Sequence, residues 1–137
     1  MLGYFYLLCL GFSSGLENEF FELGQHVGSN CGLTNVYDIA FVNISPWPPT
    51  PGGKSTVYME GTFLQTTYVQ EEILGTMYNG MILNYQSVDI DKSYQAGTVE
   101  LFVMLVEFPN EAGTYTSSIQ LNAGTHICCW QFQYNIN

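Results

Sequence analysis

The stretch that decides the fold is Ile44-Ser45-Pro46-Trp47-Pro48-Pro49-Thr50-Pro51-Gly52-Gly53, followed by Lys54-Ser55-Thr56-Val57-Tyr58-Met59-Glu60-Gly61-Thr62-Phe63-Leu64. Pro46, Pro48, Pro49 and Pro51 remove backbone donors and fix φ, so neither a helix nor a central strand runs through them. After the break, Ser55, Val57, Met59, Gly61 and Phe63 fall in one phase, and Lys54, Thr56, Tyr58, Glu60 and Thr62 fall in the other. This period of two marks a half-buried strand. The proline segment is therefore expected to be an edge or corner at which the chain changes sheets.

Working outward, β-branched and aromatic residues are dense, helical periodicity is lacking, and Gly, Asn and Pro separate short runs. Strands are expected over residues 36–44, 55–64, 77–88, 98–107, 113–121 and 126–136, with a weaker one over 65–74. Turns are expected at 48–53, 74–75, 89–92, 109–113 and 122–124. The class is all-β, a two-sheet sandwich of about seven antiparallel strands. In the last strand His126, Cys128, Trp130, Phe132, Tyr134 and Ile136 share one phase, so one face is aromatic and the other polar. Met59, Met81 and Met104 are flexible fillers, suited to an adaptable apolar cavity or to a packed core; periodicity does not separate the two.

With 137 residues the chain is one domain, large enough to close an apolar core without a metal. Apolar residues make up 47% and charged residues 10%, and Lys54 and Lys92 are the only Lys or Arg residues. A formal charge of -10 does not neutralise phosphates, which excludes nucleic acid and anionic membrane surfaces as electrostatic partners. An acidic compartment suits this balance, because protonated carboxylates repel one another less.

Residues 1–15 form an apolar segment resembling a signal peptide, with Ser13 and Gly15 preceding a cut before Leu16. The alternative is a retained first strand. The mature domain is then 16–137, secreted or lumenal, either extracellular or in an acidic endosomal or lysosomal compartment. The longest later apolar run is Leu101-Phe102-Val103-Met104-Leu105-Val106, far short of a membrane helix, so no transmembrane span is expected. Asn43-Ile44-Ser45 has the form of an N-glycosylation acceptor, which makes the chain an expected glycoprotein at Asn43.

Four cysteines, Cys9, Cys31, Cys128 and Cys129, allow three full pairings. Adjacent Cys128 and Cys129 point to opposite faces of a strand, so the expected staple joins Cys31 to one of them. The leftover thiol is free to meet Cys9 or another chain. Neither His26 nor His126 has the spacing to cysteine that wraps a zinc ion, so no metal is expected. No nucleophile elbow or phosphate-cradling loop occurs. Glu71-Glu72 and Asp89 with Asp91 are carboxylate pairs, but they are placed at turns or exposed phases where solvation is the ordinary outcome. The chain is thus read as neither an enzyme nor a cofactor carrier.

Several of these residues together carry a resemblance. Cys31 precedes the first strand, and the Ser45-Pro46 to Pro51-Gly52 corner leads to Glu60-Gly61-Thr62-Phe63. Gly113-Thr114-Tyr115 opens the penultimate strand, and Cys129-Trp130 the last. In their order and spacing, from about residue 24 to the end, they resemble the ML lipid-recognition family of cholesterol- and phospholipid-transfer proteins. The resemblance implies an immunoglobulin-like sandwich whose sheets splay at one end to admit a lipid tail or sterol, together with secretion and a Cys31–Cys129 bridge. It departs at residues 88–97, where family members commonly carry an internal cysteine pair, and in lacking the basic rim that some members bring to anionic membranes.

Two functions follow. The first is a secreted, non-catalytic lipid-transport protein that holds a sterol or acyl chain between its sheets. Its expected walls are Val57, Met59, Phe63, Met81, Leu83, Tyr85, Leu101, Val103, Leu105, Ile119, Trp130 and Phe132. The second is a structural subunit of an extracellular or cell-surface assembly, without a cavity, meeting its protein partners through apolar surface or the spare cysteine.

Overall fold

A computed structural model of the chain describes residues 25–137. The cut before Leu16, Cys9 and the choice between leader and first strand lie outside the described residues. Nine strands occur in the order β1 Gln25–His26, β2 Ser29–Asn30, β3 Tyr37–Ser45, β4 Lys54–Phe63, β5 Thr67–Tyr78, β6 Met81–Tyr94, β7 Val99–Glu107, β8 Gly113–Asn122 and β9 Trp130–Ile136. They form two antiparallel sheets, ordered β1-β3-β4-β7 and β2-β9-β8-β5-β6. The expected all-β, immunoglobulin-like sandwich is the fold, with two short strands added to the seven long ones.

The alternation in β4 sets the core. Ser55, Val57, Met59, Gly61 and Phe63 are all buried, and they face Leu74 of β5, Ile119 and Leu121 of β8, and Trp130, Phe132 and Ile136 of β9 across the interior. Gly61 is required there. A Cβ on it would come within 2.7 Å of the Tyr37 ring, which lies across β4 and donates its hydroxyl to the Glu100 carbonyl at 3.0 Å.

The proline corner does not change sheets. Ser45 pairs with Thr56 and Ile44 with Val57, so β3 and β4 are neighbours in one sheet and the corner is their wide connection. Lacking donors for a ladder, it folds over the end of the sandwich, where Trp47 packs edge-on to Phe132 at 5.8 Å and Tyr134 at 6.2 Å. Among the long strands the sheet changes at residues 64–66, between β4 and β5, at 95–98, between β6 and β7, and at 108–112, between β7 and β8.

Three other expectations are corrected. The strand expected over 77–88 is interrupted by a hairpin at Asn79-Gly80, whose φ values of 53° and 77° are those that a two-residue turn demands of Asn-Gly. The turn expected at 89–92 lies inside β6 instead, where Asp91 has φ 47° beside an irregularity in the β5–β6 register. The final strand begins at Trp130 rather than His126, because consecutive Ile127 and Cys128 both turn inward.

Candidate ligand site between the sheets

The last strands of the two sheets, β6 and β7, flank one side of the sandwich and are joined by residues 95–98. At that end the side is sealed. Gly97 donates to the Phe63 carbonyl and Phe63 to that of Thr98, while the Tyr94 ring stacks on Phe63 at 4.7 Å with planes 3° apart. Phe102 meets Tyr94, Phe63 and Tyr37 edge-on.

Away from this aromatic plug the strands differ. On β7 the inward phase, Phe102, Met104 and Val106, is buried. On β6 the inward phase is not. Val88 is the cross-strand partner of wholly buried Glu72, yet is 37% exposed, and Gln86, the partner of buried Leu74, is half-exposed. The interior is therefore least covered along β6. On this side Gln86 bridges the two sheets: its Nε2 donates to the Glu107 carbonyl at 2.9 Å, and the Glu107 N–H donates to Gln86 Oε1 at 2.8 Å.

Behind Val88 sits Glu72, whose two carboxyl oxygens have no hydrogen-bond partner among the described residues. Burial pushes its pKa up to about 7. Glu72 lies close enough to Tyr37 and Cys128 for its charge to push both ionisations upward, and burial holds the Cys128 thiol up at about 12. Further along the inner face of this sheet, Thr76 and Ser117 hydroxyls lie 3.0 Å apart, and Ser117 and Tyr134 hydroxyls 2.8 Å apart, so these buried polar groups satisfy one another.

Of the expected wall residues, Val57, Met59, Phe63, Ile119, Trp130 and Phe132 face the interior. Met81, Leu83, Tyr85, Leu101, Val103 and Leu105 do not; their exposures run from 40% at Leu101 to 72% at Met81. In β7 both phases are apolar, and the larger Phe102 and Met104 take the inside. In β6 the hairpin at Asn79-Gly80 resets which residues pair with β5, and Tyr85 lies over Gly75 on the outer face. There Tyr85, Glu71, Ile73, Ser87, Gln120 and His126 line an open groove of about 380 Å³.

The carboxylate pair expected to be solvated is split. Glu71 is half-exposed and accepts from Asn122 Nδ2 at 3.1 Å, whereas Glu72 is buried. The register irregularity between Val69 and Glu71 sets this phase, and the alternation of Glu72, Leu74 and Thr76 was its trace in the sequence.

The disulfide joins Cys31 to Cys129, with Cα atoms 4.9 Å apart. It ties β2 to the start of β9, beside the Trp130 indole, which donates to the Val27 carbonyl at 2.7 Å. Cys128 is a buried free thiol rather than an exposed one available to a second chain. Asn43 lies in β3, paired with Tyr58 of β4, and is 8% exposed. No helix among the described residues is long and apolar enough to cross a membrane.

The class of protein that these features define is a disulfide-stapled, immunoglobulin-like β-sandwich. Among solved structures, the chain is similar to the C-terminal domain of wzt, at 14% identity and a TM-score of 0.67, with 84% of this chain and 81% of that one covered. It is also similar to a Niemann-Pick type C2 protein from Japanese carpenter ant, at 15% identity and a TM-score of 0.58, with 81% of this chain and 99% of that one covered. At these identities the likeness shows the fold alone. No protein-family model matches the chain, and no curated protein matches it.

Proposed function

We propose that the protein is a non-catalytic lipid binder, secreted or lumenal, which takes a sterol or acyl chain between its sheets through the β6–β7 side. The observation that carries this reading is Val88: an inward-phase residue that remains 37% exposed beside a fully buried neighbour. The interior that it borders is apolar apart from Glu72 and the Thr76, Ser117 and Tyr134 hydroxyls, and Met59 and Met104 supply side chains that repack around differently shaped ligands. Burial of hydrocarbon at about 25 cal/mol per Å² drives binding, and no covalent step is needed. The resemblance to the ML family and the fold shared with the ant Niemann-Pick type C2 structure support the reading. The Cys31–Cys129 bridge suits an oxidising compartment.

Solvent extraction of the native protein followed by mass spectrometry is expected to release a lipid, and the stripped protein is expected to take up a fluorescent sterol or fatty acid. Failure of both sinks the proposal.

One observation favours the structural-subunit reading instead. Val99, Leu101, Val103 and Leu105 form an exposed apolar row on the outer face of an edge strand, a surface that a neighbouring subunit would cover. Sedimentation separates the two: the lipid binder is a dilute, stable monomer, the subunit an assembly.

A further inference from the structure

Glu72 is the least comfortable group in the described interior. Its side chain is fully buried, neither oxygen is paired among the described residues, and Val88, Leu74 and Leu121 are among its immediate cross-strand and same-face neighbours. A buried carboxyl without a partner destabilises a fold whether charged or neutral, and an apolar residue of similar size at this position would not. It also stands one strand in from the β6 edge, as the cross-strand partner of Val88, where a molecule entering between β6 and β7 would first reach the inner face.

We infer that Glu72 is the polar anchor of the bound lipid, hydrogen-bonding a hydroxyl on an otherwise apolar ligand whose hydrocarbon lies over the inner faces of the sheets. This rests on the lipid-binding reading above and narrows it to hydroxyl-bearing lipids: sterols, long-chain alcohols and mono- and diacylglycerols rather than sterol esters, triacylglycerols or hydrocarbons. The unpaired carboxyl is then explained. The polar group left unsatisfied in the free protein is satisfied in the complex, so selectivity comes from the penalty of leaving it unpaired when the ligand has no donor. The Thr76–Ser117–Tyr134 hydroxyls do not compete for this role, because they are already bonded to one another.

The test compares 1-decanol with decyl methyl ether, which has the same chain and no donor, by calorimetric titration of the stripped protein at about pH 9, above the raised pKa of Glu72, where the carboxylate accepts and has no proton to donate to the ether. The wild type is expected to bind the alcohol about tenfold more tightly. In Glu72→Leu that preference should fall to near unity with the ether still bound, and in Glu72→Gln, whose amide oxygen accepts from the alcohol but whose NH2 also donates to the ether, it should weaken without vanishing. Circular dichroism melting establishes that each variant is folded. Equal affinity for the two probes in the wild type overturns the anchor, as does a preference that survives in Glu72→Leu. If neither probe binds but a fluorescent sterol or fatty acid does, the anchor falls and lipid binding stands; if nothing binds, both fall.

Discussion

The side-chain amide of Gln86 pairs with the backbone of Glu107 as another peptide would, donating to its carbonyl and accepting from its N–H. Glu107 ends the outermost strand of its sheet, so these groups point away from the ladder, and Gln86 belongs to the outermost strand of the other sheet. One amide thus bridges the two sheets on the side by which the proposed ligand would enter. Replacing it with alanine removes two hydrogen bonds that are partly open to water, at a loss of about 1–2 kcal/mol. Gln86→Ala is expected to melt a few degrees lower and to take up a fluorescent fatty acid faster in stopped-flow mixing. An unchanged uptake rate would place the entrance elsewhere.

The contact of Tyr37 with Gly61 allows a sharper test of the core. The Tyr37 ring crosses β4 only because Gly61 has no side chain, and its hydroxyl then reaches Glu100 on the next strand. Gly61→Ala forces the ring off this path, and overpacking of this kind destabilises by about 1–3 kcal/mol. Tyr37→Phe keeps the ring and loses only the hydroxyl bond, for about 1 kcal/mol. Denaturant unfolding should rank the two in that order.

Glu72 makes stability depend on pH in an unusual direction for a carboxylate. Its folded pKa, about 7, lies above the ordinary value of 4.5, so the native state holds this proton more tightly than the unfolded state does. Below pH 4.5 both states are protonated and nothing is lost; as pH rises from 4.5 through 7 the unfolded state gains, by up to about 3 kcal/mol. Tyr37 and Cys128, the titratable groups whose charges couple to Glu72, are shifted upward and stay neutral throughout this window. The denaturation midpoint of the wild type should therefore fall between about pH 5 and 8, and that of Glu72→Gln should change less. Matching profiles would mean that Glu72 is not the responsible group.

How far this site was legible in the sequence depended on how strongly each strand marked its two faces. In β4 a polar residue follows nearly every apolar one, and the buried set was readable without error. In β7 Val99, Leu101, Val103 and Leu105 are as apolar as Phe102, Met104 and Val106, so alternation offered no choice and the outer row was mistaken for the wall. Asn79-Gly80 was a legible hairpin signal that the run of apolar residues around it obscured. Glu72 was barely legible, because its burial follows from the register irregularity between Val69 and Glu71, and the inward alternation that traces it, Glu72, Leu74 and Thr76, contains two polar residues. The proline corner marked a break correctly, but not which sheet the chain enters afterward; that depends on pairing with β3.

The two adjacent cysteines should behave as chemical opposites. Cys129 closes a bridge to Cys31 across 98 residues of sequence, and a loop of that length restricts the unfolded chain strongly, so reduction is expected to destabilise the protein by about 2–5 kcal/mol. Cys128 is buried in the core with its thiol held up at about 12, so at neutral pH it is neither ionised nor accessible. Peptide mapping after iodoacetamide treatment should therefore find Cys128 unmodified in the native protein and alkylated only in concentrated guanidinium. The Cys31 and Cys129 peptides should be alkylated only once reductant is added. Rapid alkylation of Cys128 under native conditions would show that this part of the core opens, and would shift the expected ligand entrance from the β6–β7 side to the β9 end.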